Sequence, residues 1–224
     1  MTGLFRSKLL ALQISICAAA LLSATLSVAE DAQWKPSKNK NEIQTYTRKV
    51  EGSKYRAVRG ETILDIPVAK LVAVINDAPA CSEWADMCKT SSVYEQISAS
   101  ETYVYTLNDL PWPVKDRDVI AHLNWQRADD GTVSMHSTAV SQSDTQQFDK
   151  NKGIVRIETA SARWEFTPLP DGKTQTVFEV HMDPNGQIPG WLLNQLVLNS
   201  PFTTFKSLSQ QATKAKYDNA KLPF

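Results

Sequence analysis

The sequence predicts an α+β domain in which a curved antiparallel sheet wraps around one long C-terminal helix, with two short helices inserted after the first strands. Three observations predict it. Period-two alternation of apolar and polar residues recurs along the chain between Gly-, Pro- and Asp-containing turns. Two short segments after Pro67 and Pro79 read as helical instead, and a long apolar-rich segment begins at Pro189. Several short strands, early inserted helices and one terminal helix make the α+β plan, with the lone helix covering the concave face.

In chain order, residues 30–42 are polar and lysine-rich apart from Trp34, and read as a leader segment pinned by one aromatic. Ile43–Val50 and Tyr55–Ile66 alternate as strands joined by a turn containing Gly52. Pro67 opens a helix in which Val68, Leu71, Val72 and Ile75 share a face, and the Asn76-Asp-Ala-Pro79 run stops it. A second short helix follows Pro79. Strands then return at Ser92–Ser98, Thr102–Asn108, Arg117–Arg127 and Val133–Val140, the last pair reversing at Asp129-Asp-Gly131. Ser141–Gly153 is a polar, glutamine-rich loop, and Ile154–Thr167 and Thr174–Asp183 are two more strands separated by Pro168-Leu-Pro-Asp-Gly172. Pro189 sits at the tolerated first turn of a helix running to about Tyr217. Pro201 inside it removes one backbone bond, so a kink or restart after Ser200 is expected.

Residues 1–29 have the plan of a secretory signal peptide. Arg6 and Lys8 precede the apolar run Leu9–Leu22, and Ser27-Val-Ala29 is a small-x-small cleavage site. Leu9–Val28 also approaches the roughly 20 residues of a membrane anchor; polar Gln13, Ser15, Ser23 and Thr25 favour cleavage. Export to the periplasm or the external medium is the expectation. The chain has 24 basic and 24 acidic residues, and removing Arg6 and Lys8 leaves 22 against 24. That balance gives no general attraction to nucleic acid or an anionic surface. The remaining residues, 43–217 above all, fit one domain, expected to be a monomer. Cys81 and Cys88 survive processing, and an even pair in an exported chain reads as a disulfide, the alternative being two buried thiols. A bridge requires the helix opening at Pro79 to end or bend near residues 85–87, because an unbroken helix would hold the two cysteines about 10 Å apart.

The densest information lies in Asn108–Ile120. Two prolines fix the backbone on either side of Trp112 and remove two donors, so Leu110–Pro113 is a loop tip that presents its indole. From Val114 the period is two, with Asp116, Asp118, Ile120 and His122 on one face. Arg117, Val119, Ala121, Leu123 and Trp125 share the other, so a guanidinium stands at the mouth of an apolar stripe.

These residues resemble the START family, the lipid-binding domains of the helix-grip superfamily, and its bacterial members above all. The resemblance spans about Ile43–Leu208 and rests on Arg59-Gly-Glu-Thr62, Cys81-Ser-Glu-Trp84, Pro111-Trp-Pro-Val-Lys-Asp-Arg-Asp118, Asp183-Pro-Asn-Gly186 and Ser200-Pro-Phe202. It implies a hydrophobic tunnel between sheet and helix for one sterol, phospholipid or similar molecule. The bound molecule would enter by opening of the Trp112 loop or of the helix start around Trp191, with transient membrane contact by Trp112. Arg117 is then either a structural ion pair with an acid such as Asp183 or the anchor of a lipid head. Stripes on the strands (Val119, Leu123 and Trp125; Trp164 and Phe166; Phe178, Val180 and Met182) and on the helix (Trp191, Leu192, Leu196) are either solid core or tunnel lining. Nucleophile elbows, phosphate loops, zinc motifs and dinucleotide fingerprints are missing. No catalytic residue, cofactor or metal is therefore expected. His122 and His181 alternate with the apolar stripes and should face away from the tunnel. A histidine inside it would favour the alternative, a cyclase- or hydrolase-like enzyme of the same superfamily.

Overall fold

The structure is a computed structural model that describes residues 33–141, 153–186, 188 and 190–224, without the side chains of residues 190–196. The segment read as a signal peptide and most of the glutamine-rich loop lie outside the described residues. Among the described residues ten strands form one sheet: β1 (Lys35–Lys40), β2 (Ile43–Lys49), β3 (Arg56–Leu64), β4 (Cys88–Gln96), β5 (Glu101–Asn108), β6 (Arg117–Arg127), β7 (Val133–Ala139), β8 (Val155–Arg156), β9 (Thr159–Pro168) and β10 (Thr174–Asp183). Helix α1 (Val68–Asn76) and a 3-10 turn (Ala78–Glu83) separate β3 from β4, and helix α2 (Gly190–Ala212) follows β10.

The strand order is β1-β2-β3-β10-β9-β7-β6-β5-β4, and every pairing along it is antiparallel. Strand β8 alone runs parallel to its partner, beside the start of β6. This is the expected curved sheet with its terminal helix. One departure is β1: where the sequence suggests only a polar leader, Lys35–Lys40 is an edge strand on β2, all of it exposed. A strand buried on neither face carries no apolar alternation, and lysines with Pro36 are the composition of a protected edge. The second inserted helix is a 3-10 segment, and α2 ends at Ala212 before a further 3-10 turn at Ala215–Tyr217.

Of the kink or restart expected after Ser200, the restart is absent: helix α2 runs on through Pro201. Proline at 201 leaves the Val197 carbonyl without its backbone donor. The Ser200 hydroxyl donates to that carbonyl at 3.1 Å and takes the missing place. Pro201, Phe205, Leu208 and Ala212 are all buried and recur at helical spacing, so this stripe faces the sheet. It meets β3 at Gly60, where a Cβ would lie 2.5 Å from the Pro201 Cβ and 2.9 Å from Phe205 Cε2. Only a residue without a side chain permits this approach.

The core fills one end of the sheet. Trp125, Val133, Met135, Trp164 and Phe166, from adjoining ends of β6, β7 and β9, pack with Leu71, Val72 and Val74 of α1 and with Phe205 and Leu208 of α2. Trp164 packs at a tilt against Phe178, 4.4 Å between ring centroids, and meets Phe205 edge-on at 6.1 Å. Cys81 and Cys88 are bridged, their Cα atoms 5.9 Å apart. The chain turns as that bridge requires: the 3-10 segment stops at Glu83, and Met87 takes a left-handed φ of 65°.

Candidate functional site

At the end of the sheet away from this core, the inward positions change character. Ala121 lies opposite Ala139, Ala160 opposite Met182 and Ala162 opposite Val180. A row of methyl groups there replaces the tryptophans and phenylalanine that fill the other end. These alanines stay partly exposed, as do Val119, Leu123, Phe178, Val180 and Met182 on the same concave face. The small side chains leave room that the large ones close off.

Arg117 stands at the rim of this region. It begins β6 and is 3% exposed, yet no carboxylate pairs with it among the described residues. Its Nε donates to the Pro184 carbonyl at 3.3 Å, Nη2 to the Asn185 carbonyl at 3.1 Å, and Nη1 to the Lys115 carbonyl. Burial pushes the guanidinium's pKa below its ordinary value. The acid that the sequence offered as its ion-pair partner is engaged elsewhere, because Asp183 Oδ1 accepts from the Asn185 amide at 3.0 Å. The buried ion pair at this point belongs instead to the neighbouring residues: Arg156 of β8 grips Asp118 with two bonds of 2.6 and 2.8 Å. Arg117 therefore ties the Pro111–Lys115 loop to the β10–α2 connection through carbonyl oxygens, and no acid pairs with it among the described residues.

Between those two segments lies a cavity of about 560 Å³ lined by Pro113, Val114, Lys115, Arg117, Val155, Gly186 and Ile188. Gly186 adopts a φ of 70°, so the close turn beside Arg117 favours glycine. Trp112 is 92% exposed at the loop tip, and its bond to Pro113 is cis. Asp116 anchors the base of the loop: it accepts from Lys89 Nζ at 3.2 Å and from the Leu110 amide at 3.4 Å.

The structure brings the sequence-selected residues together in part. Arg117 lines the cavity, and Trp112 stands beside it on the same loop. Val119, Val180 and Met182 face inward below it, whereas Leu123 and Phe178 pack against the end that holds Trp125, Trp164 and Phe166. The side chains of Trp191, Leu192 and Leu196 lie outside the described residues. His122 bonds Glu101 at 2.7 Å and stacks on Tyr103, and His181 bonds Ser53 at 3.1 Å, both on the convex face as the alternation requires. The alternation did not show that Asp118 and Ile120, on that same convex side, are buried. Sequence reasoning also missed the carbonyls of Lys115, Pro184 and Asn185, since main-chain acceptors leave no trace in residue identity. The turn signal Asp183-Pro-Asn-Gly186 marked where two of them would be.

Comparison with known proteins agrees with this architecture. The START domain family matches residues 13–215. An uncharacterised protein of Pseudomonas aeruginosa is 33% identical over 204 residues, covering 91% of this chain and 98% of that protein. The bovine phosphatidylcholine transfer protein is 28% identical over 131 residues, covering 58% of this chain and 60% of its own. Among solved structures, the STAR-related lipid transfer protein of Xanthomonas axonopodis (fragment 25–204) superposes with a TM-score of 0.72 at 34% identity, covering 81% of this chain and 99% of that one. The human StAR-related lipid transfer protein 5 shares the fold with a TM-score of 0.71 at 19% identity, covering 81% and 86%. With a helix gripped by an antiparallel sheet, a cavity at its open end and matches of this extent, the chain belongs to the START domain family of lipid-transfer proteins.

Proposed function

We propose that this protein is an exported carrier that holds one lipid, with its polar head at Arg117 and its acyl chains along the alanine-lined concave face. The carrying observation is the buried guanidinium at the cavity wall, bonded to carbonyls and opposed by no acid among the described residues. A lipid phosphate or carbonyl would supply the negative end such a charge favours, in a site shielded from water. The tail would be held by burial of apolar surface, at about 25 cal/mol per Å². The relatives named for phosphatidylcholine support a phospholipid as the class. Access runs past Trp112, whose exposed indole suits brief seating at a bilayer interface. The signal-like segment and the Cys81–Cys88 bridge support a compartment outside the cytoplasm, and among the described residues no helix is long and apolar enough to cross a membrane.

Native mass spectrometry with solvent extraction tests the reading, before and after incubation with phosphatidylcholine vesicles. One lipid per chain is the expected result; repeated recovery of empty protein with no uptake refutes it. Arg117→Met, checked for folding by circular dichroism, should weaken uptake by about 10- to 150-fold, from the roughly 1.5–3 kcal/mol of a charge-assisted bond to the head. Undiminished uptake would remove Arg117 from the site.

A further inference from the structure

We propose that the convex face of the sheet carries a second binding site, for a small soluble oxyanion such as phosphate, roofed by Trp34 and separate from the lipid cavity. The site is a cavity of about 200 Å³ on the side of the sheet opposite α2. Strand pairing builds its floor: His181 of β10 lies opposite Ser161 of β9, and Ser161 opposite Thr138 of β7. An imidazole and two hydroxyls thus run side by side across three strands. The adjacent row, also outward, is Glu179, Arg163 and His136.

From the other side comes Arg48 of β2, whose guanidinium lies 4.9 Å from the centre of the Trp34 ring. The indole holds the cation over the cavity. Ala57, buried next to it, keeps the space beneath open. Arg48 has no carboxylate partner among the described residues, and the side chains of Ser161, Thr138 and His136 have no hydrogen-bond partner there. The one acid lining the cavity, Glu179, lies 3.6 Å from both Arg59 and Arg163, which pair more closely with Glu61 and Glu165. What faces the cavity is therefore the Arg48 and Arg163 guanidiniums, the unpartnered His136 ring and two unpartnered hydroxyls, with His181, already bonded to Ser53, and Glu179 beside them. That combination matches the oxygens of a compact anion better than a cation or an apolar molecule.

His181 reports the local field. Burial lowers its pKa, and the nearby Arg48 lowers it further, with the Tyr55 main chain and Asp183 acting in the opposite sense. An anion seated between Arg48 and His181 would offset the Arg48 charge, favour the imidazolium and so raise that pKa.

The chain has three histidines, so proton NMR of their ring signals resolves the question in the intact protein. Titration with inorganic phosphate near pH 6, at constant ionic strength set with chloride, should shift His181 and His136 saturably and raise the His181 pKa. His122, bonded to Glu101 outside the cavity, should stay fixed. Arg48→Gln should weaken the response by about tenfold, the loss of one charge-assisted bond. Ser161→Ala, which removes a hydroxyl with no partner among the described residues and so leaves folding intact, should weaken it severalfold. No saturable shift, equal shifts at all three histidines, or an unchanged response in both variants would overturn the proposal. Lipid uptake measured alongside separates this site from the concave one, because Arg48→Gln should leave uptake unchanged.

Discussion

Gly60→Ala tests directly how α2 is seated on the sheet. The added methyl would stand 2.5 Å from the Pro201 Cβ and 2.9 Å from Phe205 Cε2. Ordinary carbon contacts are about 3.5–4.0 Å, so the helix must retreat by roughly 1 Å or the strand must bow. Neither neighbour yields easily: Pro201 is a ring within a helix, and Phe205 is wedged among Trp164, Leu208 and α1. Overpacking of this kind costs about 1–3 kcal/mol. Replacing glycine stiffens the unfolded chain and returns about 0.4–1 kcal/mol, leaving a net loss of roughly 1–2 kcal/mol. For a domain of this size, that lowers Tm by about 2–8 °C. Urea denaturation followed by tryptophan fluorescence should show a lower midpoint with an unchanged slope. Equal or greater stability would show that α2 does not approach β3 as described. Because the helix covers the concave face, the same substitution should also change lipid uptake.

Further outcomes follow from other contacts. Trp112→Ala should leave the stability within about 0.5 kcal/mol of its original value, because the exposed indole supports no core, while slowing lipid transfer from vesicles; an unchanged transfer rate would remove the loop from the access route. Glu83 accepts from Gln211 and from Lys214, bonds that hold its pKa down at about 2. A depressed folded-state pKa stabilises the protein above the unfolded carboxyl's range and loses that contribution as pH falls toward 2. Chemical denaturation between pH 5 and pH 2 should therefore show a decline that is smaller in Glu83→Gln, and identical pH profiles would refute the role. Cys81→Ser with Cys88→Ser should lower stability by about 2–3 kcal/mol, the loop-closure entropy of a short disulfide ring; a smaller loss would place the constraint in the 3-10 turn itself.

The sheet was legible because alternation, turn composition and proline placement act locally, so Arg117–Arg127 and Thr174–Asp183 stand at the ends the sequence indicated. The facing of His122, His181 and Arg117 followed from the same period of two. What a single residue's neighbours decide was hidden. Lys35–Lys40 pairs because β2 offers an open edge, although its own composition carries no strand signal. Arg117 chose carbonyls over Asp183 because the turn after β10 aims Pro184 and Asn185 at it while Asp183 caps that turn. The division of the concave face into a packed end and an alanine-lined end depends on which strand positions align across β6, β7, β9 and β10. That register is set by the whole sheet, so the large aromatics Trp125, Trp164 and Phe166 read as lining as readily as core.

The strand order has a consequence for biosynthesis. Strands β1 to β3 and β4 to β7 form two separate meanders whose facing edges touch only through β10 and β9. The central seam, where Val58 meets Val180 and Val133 meets Phe166, thus waits for the last third of the polypeptide. A nascent chain stalled before Pro168 would display two unsealed ribbons with their inner surfaces bare, a state prone to mispairing. Contacts so distant along the chain make closure slow, and any helper that shields the early ribbons would act before β10 emerges.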